Sequence, residues 1–245
     1  EKDLPFFMGL MRNLFDANFP SPEPIINRNG NYITDIVGKK AAVVTFLDGA
    51  AKKELSPDNC KEVGINAAKL HLITNNLAIK RKNKLSINSW RKIYKNVEKD
   101  CAKIHPNLTE TIEENLNEIE NSWPKNIPSG IIHADLFPDN LFFKNNKLSG
   151  IIDFYFSCHD FYAFEIAICL NALCFEGKKE NLSFNVTKAK KFIDGYSSIK
   201  KLTEEEKKSL KILCQGAAMR FLLTRVFDYL NLTEGALVKI KDPIE

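Results

Sequence analysis

Residues 130–154 read GIIHADLFPDNLFFKNNKLSGIIDF, a stretch rich in Ile and Phe with turn residues between them. Its two apolar runs are separated by the pair Asn145 and Asn146. Asparagine tolerates the positive φ angles that a two-residue hairpin turn requires. The stretch therefore predicts an antiparallel hairpin in which Lys144 pairs with Lys147.

Counting back from that turn predicts where the polar side chains of the hairpin lie. Asn140 falls opposite Ile151, and Asp153 lies two residues beyond that partner, on the face of Asn140. Diagonal neighbours of this kind are roughly 7–8 Å apart at the backbone. Hard oxygen ligands suit Mg²⁺, which binds few protein carboxylates and completes its shell with water and phosphate. The pattern predicts a magnesium site at Asn140 and Asp153.

Asp135 lies two residues after His133 and five before Asn140, which is the H-x-D-x-x-x-x-N spacing of a kinase catalytic loop. In that loop the aspartate accepts the proton of the attacking hydroxyl, and the asparagine holds one metal ion. A later aspartate binds the metal that bridges the phosphates, and Asp153 takes this place. Tyr155 replaces the glycine of the usual D-F-G motif.

An Asp-x-x-x-x-Asn pair alone is common and carries little information. Here it combines with a preceding histidine, a hairpin of suitable length and apolar neighbours, among which unpaired polar side chains are costly. The combination favours a functional site. Within it, we expect His133 to anchor the loop by hydrogen bonds and Asp139 to be a turn residue.

These motifs resemble the aminoglycoside-phosphotransferase and choline-kinase superfamily, and more narrowly its homoserine kinase branch. The resemblance rests on residues 133–140 and 150–156 and covers nearly the whole chain. The segments that agree outside the catalytic stretch are 3–11, 42–47, 167–172, 174–176, 183–187 and 220–225.

The resemblance implies an α+β, bilobal protein-kinase-like fold. Residues 1–48 would form part of a small mixed β/α N-terminal lobe with the hinge, and residues 49–245 a large, mainly helical catalytic lobe. ATP and Mg²⁺ would lie between the lobes, with the adenine edge against Thr45, Phe46 and Leu47. A buried strand end is the alternative for those three residues. The product would be O-phosphohomoserine, on the route to threonine.

The resemblance also implies strands that would precede Glu1. The phosphate-covering loop and the lysine that grips the α- and β-phosphates have no counterpart in this chain, and we expect them upstream. Glu1 and Asp3 are candidates for the acidic partner of that lysine.

An acceptor such as L-homoserine needs a cation for its α-carboxylate. Arg220 and Arg225 lie in an otherwise apolar stretch, and arginine suits bidentate capture of a carboxylate. Asn171 would also line the pocket. The alternative for the arginines is a structural salt bridge, for which the acidic candidates are Asp160, Glu165 and Asp228.

Hydrophobic periodicity predicts the remaining secondary structure. Helices are expected at residues 3–15, 56–72, 89–104, 108–123, 161–175, 187–196 and 204–231. Short strands are expected at residues 31–36 and 40–47, of which the second is apolar enough to be buried.

Composition excludes several classes of partner. The 245 residues include 35 basic and 31 acidic ones, and a net charge of +4 is a weak argument for nucleic acid. No signal peptide and no apolar run of about 18 residues is found, so no membrane partner is expected. Six cysteines without a C-x-x-C pair argue against zinc and for a reducing cytoplasm. The oligomeric state stays open.

Two other functions remain compatible with the residues. The same chemistry could act on another hydroxyl acceptor, such as an aminoglycoside, choline or methylthioribose. A nucleotide-binding module without turnover is the other alternative: the missing lysine supports it, and the intact set of Asp135, Asn140 and Asp153 opposes it.

Overall fold

The computed structural model describes residues 2–177, 181–231 and 241–244. The helices in these ranges are α1 (Leu4–Asp16), α2 (Pro57–Ile73), α3 (Ile87–Lys95), α4 (Cys101–Ile104), α5 (Leu108–Ser122), α6 (Tyr162–Leu173), α7 (Val186–Ile199) and α8 (Glu204–Leu230). The strands are β1 (Thr34–Ile36), β2 (Lys39–Ala41), β3 (Ala50–Ala51), β4 (Ser129–Ile132), β5 (Leu141–Lys144), β6 (Lys147–Ile151), β7 (Cys158–Phe161), β8 (Phe175–Glu176) and β9 (Ser183–Phe184).

Helix α6 lies at the centre of the helical part and is buried along nearly its whole length. A helix that is apolar on all faces has to pack on all sides. One core cluster joins α6 to α1, α2 and α7, and a second joins it to α3, α5 and α8. Leu136 belongs to the first cluster and Ala134 to the second. The stretch that carries Asp135 is therefore held between the two clusters.

Helices α2 and α7 approach so closely that their contact requires glycine. A side chain at Gly64 would collide with the carbonyl of Phe192, and one at Gly195 with the carbonyl of Lys61. The backbones of α2 and α7 are thus in direct contact, and both helices share one core cluster with α6.

The predicted hairpin is confirmed. Strands β5 and β6 pair antiparallel, with Lys144 opposite Lys147. Asn145 and Asn146 have φ angles of 50° and 62°, as a two-residue turn of this type demands. Strand β3 pairs with the outer edge of β5, so the sheet order is β3-β5-β6.

One detail of the predicted register is wrong. Leu141, not Asn140, lies opposite Ile151, because a β-bulge between Phe142 and Phe143 shifts the pairing by one residue. Ser149 is the extra residue, and its hydroxyl donates to the carbonyl of Asp48 at 2.7 Å. A bulge inserts one residue into one strand and re-aims the side chains beyond it.

The expected buried strand at residues 40–47 is also wrong. Strand β2 ends at Ala41, and the side chains of Val43 and Phe46 are 64% and 89% exposed. The backbone of this segment pairs instead with residues 23–25, through Ile25 N to Val43 O and Thr45 N to Glu23 O, both 2.9 Å. Pairing along one edge leaves the apolar side chains without a covering layer.

The helix predictions are mostly confirmed, with one break. The helix expected over residues 89–104 is divided into α3 and α4 by a turn after Asn96, which caps α3. Among the described residues, no helix is both long enough and apolar enough to cross a membrane.

Candidate active site

The catalytic loop, residues 133–140, follows directly on β4 and begins with an unusual backbone conformation. Ala134 has a φ of 65°, which residues other than glycine rarely adopt. Such a conformation persists only where surrounding contacts enforce it. Two helices provide these contacts.

Glu165, in the first turn of α6, holds the loop from one side. Its fully buried carboxylate accepts the backbone N–H groups of His133 and Ala134, the latter 3.0 Å from Oε1. Hydrogen bonds to an ionised group are roughly twice as strong as neutral ones. Glu165 therefore fixes the backbone directly before Asp135.

Arg220, on α8, holds the same residue from the other side. Its Nη1 donates to the carbonyl of Ala134 at 2.6 Å, and its guanidinium lies over the rings of Phe221 and Phe156. Burial lowers the pKa of Arg220, and the neighbouring carboxylate of Asp135 opposes this shift. The guanidinium thus lies beside the proposed base.

His133 connects the loop to the hairpin. Its Nε2 donates to the carbonyl of Ile152 at 2.9 Å, while its Nδ1 accepts the N–H of Asp135 at 3.2 Å. A carbonyl can only accept and a backbone N–H can only donate, so these partners require a proton on Nε2 and an acceptor at Nδ1. His133 lies over Phe154 and is fully buried. These contacts anchor the loop.

Asp135 and Asn140 are in direct contact. Nδ2 of Asn140 donates to the Oδ2 of Asp135 at 3.0 Å and to its carbonyl at 2.8 Å. Burial raises the pKa of the Asp135 carboxyl, His133 and Arg220 oppose this shift, and Asp153 adds to it. A carboxylate with a raised pKa is a stronger proton acceptor. The bond to Asp135 also directs the Oδ1 of Asn140 away from it.

Asp153 enters the site at the end of the hairpin. The N–H of Ile152 donates to the carbonyl of Asn140 at 3.1 Å, so the backbone before Asp153 lies against Asn140. Asp153 is exposed and has a φ of 61° and a ψ of 59°. The structure therefore gathers Asp135, Asn140 and Asp153 around one end of the hairpin, with a register that differs by one residue from the predicted one.

The donors in this group suit a magnesium ion. Mg²⁺ prefers oxygen ligands and keeps much of its water shell, so one carboxylate and one amide oxygen are sufficient protein ligands. Within the described ranges, no group of three or more His, Cys, Asp or Glu side chains is placed to hold a metal ion.

Of residues 45–47, the expected adenine contacts, Leu47 lies against the hairpin. Thr45 accepts the N–H of Glu23 on its hydroxyl at 2.9 Å, and Phe46 is largely exposed. Leu47 packs on β6: a Cβ at Gly150 would lie 2.7 Å from Cδ1 of Leu47. This contact joins the predicted hinge to the strand that leads to Asp153.

The other predicted site residues lie in different places. Nδ2 of Asn171 donates to the carbonyl of Cys214 at 2.8 Å and so joins α6 to α8. Arg225 is half-buried, and it lies about 140° around α8 from Arg220. Asp3 is ion-paired with Arg81 and Lys84, whereas Glu1 lies outside the described residues.

The loop-holding role of Glu165 was not predicted from the sequence. Glu165 was expected only as a possible salt-bridge partner of Arg220 or Arg225. The available signal was a single acidic side chain within the apolar run YAFEIAICL of α6, because a buried charge requires partners.

Replacing Glu165 by Gln is expected to lower the turnover rate by up to about 10²-fold, because a displacement near 1 Å can cost that much. The neutral side chain loses the charge-assisted bonds and presents an NH₂ group that cannot accept. Steady-state kinetics measure the loss. Glu206→Gln is the matched control: Glu206 is equally buried and accepts a backbone N–H, from Thr203, away from the loop. An equal loss of turnover in both variants would contradict the specific role of Glu165.

The chain is similar to known phosphotransferases along most of its length. The profile of the phosphotransferase enzyme family matches residues 1–193. The chain is 46% identical over 243 residues to a homoserine kinase of Xanthobacter autotrophicus, covering 99% of this chain and 75% of that protein. It is 45% identical over 243 residues to a homoserine kinase of Rhodospirillum rubrum, with the same coverage.

Solved structures show the fold. An amicoumacin kinase, hAmiN, in complex with AMP-PNP, Ca²⁺ and Ami superposes with a TM-score of 0.69 at 15% identity, covering 96% of this chain and 72% of that one. An ethanolamine kinase of Plasmodium vivax superposes with a TM-score of 0.63 at 15% identity, covering 92% and 67%. These similarities confirm the protein-kinase-like α+β fold.

Proposed function

Because the chain belongs to the phosphotransferase enzyme family, and within it to the homoserine kinases, we propose that it transfers the γ-phosphoryl group of ATP to the hydroxyl of L-homoserine at Asp135. The identity of 46% over 99% of the chain supports this acceptor. The observation that carries the reaction is the contact between Asp135 and Asn140 at the end of the hairpin that leads to Asp153.

In the proposed reaction, the hydroxyl oxygen of homoserine attacks the γ-phosphorus while the bond to the β,γ-bridging oxygen breaks and ADP leaves. The hydroxyl proton passes to the carboxylate of Asp135. Burial, which raises the pKa of this carboxyl, improves it as a proton acceptor. Asn140 orients the carboxylate. Glu165 and Arg220 bind the backbone of Ala134 and so fix the position of the next residue, Asp135.

Asn140 and Asp153 would hold Mg²⁺, which neutralises charge on the phosphates when bound. Their arrangement supports this assignment, since the Asn140 amide nitrogen is engaged with Asp135 and leaves its Oδ1 for a cation. Asp153 is exposed and follows the last residue of β6 by two positions, at the same end of the hairpin. Positioning and charge neutralisation supply nearly all of the catalysis in phosphoryl transfer.

For the nucleotide, we propose that the edge of the adenine ring contacts Thr45, Phe46 and Leu47. The contact of Leu47 with Gly150 supports this, because it brings the segment near the strand that ends at the metal ligand. Residues 1–48 then form part of the N-terminal lobe with the hinge, and residues 49–245 the catalytic lobe. Within this division, α1 packs in the same core cluster as α2.

For the acceptor, Arg220, Arg225 and Asn171 stay predictions. The contacts of Arg220 support a role in positioning the catalytic loop, and those of Asn171 a link between helices. The six cysteines are all free thiols, which supports a cytoplasmic location.

The test is ADP formation by the full-length protein with Mg-ATP and a panel of acceptors. L-Homoserine is expected to give the highest kcat/KM, above choline, methylthioribose and an aminoglycoside. The matched control is L-2-aminobutyrate, which lacks only the hydroxyl and should give no product. A higher kcat/KM for another acceptor would reassign the substrate, and no turnover with any of them would favour a non-catalytic module.

A further inference from the structure

The metal ligand Asp153 is followed by a segment whose position is not explained by the hairpin alone. We name residues 154–159 the post-aspartate segment. It begins with a single 3₁₀ turn, Phe154–Phe156. Phe154 is buried against His133, but Tyr155 and Phe156 are 49% and 42% exposed. Contacts from outside the segment must therefore hold it, and with it the backbone of Asp153.

Strand β4 pairs with Cys158 and His159 at the end of the segment, and Arg81, in the connection between α2 and α3, binds the part before them. Its Nη1 donates to the carbonyls of Ser157 at 2.9 Å and of Phe156 at 3.4 Å. Its own carbonyl accepts the N–H of His159 at 2.7 Å. The side chain is only 15% exposed. Arg81 thus holds the post-aspartate segment through both its guanidinium and its backbone.

The other edge of the same guanidinium binds α1. Nε of Arg81 donates to Oδ2 of Asp3 at 2.7 Å, and the guanidinium lies 5.0 Å from the ring centre of Phe7. Lys84 binds the same carboxylate at 2.6 Å. Phe7 in turn contacts Tyr155 edge-on, with ring centres 5.2 Å apart. Arg81 therefore lies between the first turn of α1 and the post-aspartate segment.

We propose that Arg81 is a positioning residue that fixes the post-aspartate segment, and with it Asp153, against the start of α1. The proposal rests on the proposed function for the role of Asp153 as a metal ligand. Arginine is required because its planar group directs donors to carbonyls on one side and to a carboxylate on the other. A lysine ammonium at this place satisfies only one of these partners. Hydrogen bonds from Lys84 and Arg81 lower the pKa of the Asp3 carboxyl to about 2.

The first test needs neither metal nor nucleotide. Hydrogen exchange of the full-length protein is compared for Arg81→Gln and for the control Arg12→Gln. Arg12 lies on α1 itself and binds two carboxylates, those of Asp16 and Glu23, but its hydrogen bonds do not extend to the post-aspartate segment. Amides of residues 154–159 are expected to exchange about tenfold faster in Arg81→Gln only. Unchanged exchange would overturn the proposal.

The second test measures Mg²⁺-dependent binding of a fluorescent ATP analogue. Outer-shell partners of metal sites are worth about 10–100-fold in affinity, so Arg81→Gln should raise the half-saturating Mg²⁺ concentration about tenfold. If that variant does not fold, Arg81→Lys and Asp3→Asn replace it. Asp3→Asn keeps the bonds to the carbonyls and is expected to shift the concentration about threefold, as for a partly exposed ion pair.

The outcomes separate this proposal from the proposed function. Folded Arg81 and Asp3 variants whose Mg²⁺ dependence matches that of Arg12→Gln would overturn the positioning role. Absence of turnover with L-homoserine in the unaltered protein would instead contradict the proposed substrate, and it would leave the exchange result untouched.

Discussion

Replacing Asp135 by Asn is expected to reduce phosphoryl transfer by roughly 10²–10⁴-fold, the usual contribution of general acid–base catalysis. Asparagine has the shape of aspartate but cannot take up the hydroxyl proton. Binding of Mg-ATP should stay close to that of the unaltered protein, because the proposed metal ligands are Asn140 and Asp153.

The fold should tolerate this substitution. Asn140 also donates to the main-chain carbonyl of residue 135 at 2.8 Å, and that bond does not depend on the side chain. The backbone before it remains held by Glu165 and Arg220. Removing the carboxylate next to Arg220 leaves a buried cation with less compensation, so a modest loss of thermal stability is expected.

Single-turnover kinetics with saturating homoserine measure the chemical step directly, and calorimetry measures nucleotide binding. The matched control is Asp139→Asn, which makes the same change in the same loop at a side chain that is 64% exposed. Full activity of the Asp135 variant would remove this residue from the role of base. A similar loss in both variants would attribute the effect to the loop rather than to proton transfer.

Replacing Asp153 by Ala is expected to abolish the effect of Mg²⁺ on nucleotide binding, together with turnover. The loss of Mg²⁺ affinity should exceed the roughly 10–100-fold that is typical for residues which only hold a metal ligand, because the carboxylate itself is the proposed ligand. The backbone of Asp153 is left-handed, with a φ of 61°. Alanine is more strained there than aspartate, so a small loss of stability should accompany the functional loss.

Titration calorimetry with ATP, with and without Mg²⁺, measures this effect, and thermal unfolding reports the stability separately. Asp48→Ala is a suitable control, because it removes an exposed carboxylate that pairs with Lys144 on the same hairpin. Preserved magnesium dependence in a folded Asp153 variant would show that the hairpin does not carry the metal site.

Local interactions explain why much of the site could be predicted. The turn at Asn145 and Asn146 depends on the φ preferences of two adjacent residues, and the strands on either side follow from it. The spacing between Asp135 and Asn140 spans only one loop. Most of the helices likewise follow from apolar periodicity, which reports burial along a single element.

Features that depend on contacts between distant segments were predicted less well. The bulge at Ser149 is stabilised by a hydrogen bond to Asp48, about a hundred residues earlier. The exposed side chains of Val43 and Phe46 reflect which partner pairs with that segment, and an apolar run cannot indicate this by itself.

The residues proposed to carry the chemistry, Asp135, Asn140 and Asp153, could be predicted without a structure, because their identities and spacings are properties of one continuous stretch. How they are held depends on contacts that form only in the folded chain. Glu165, Arg220 and Arg81 lie 31, 86 and 76 positions from the backbone groups that they bind. Each is a charged group whose burial is tolerable only because folding brings it to partners that no local pattern identifies.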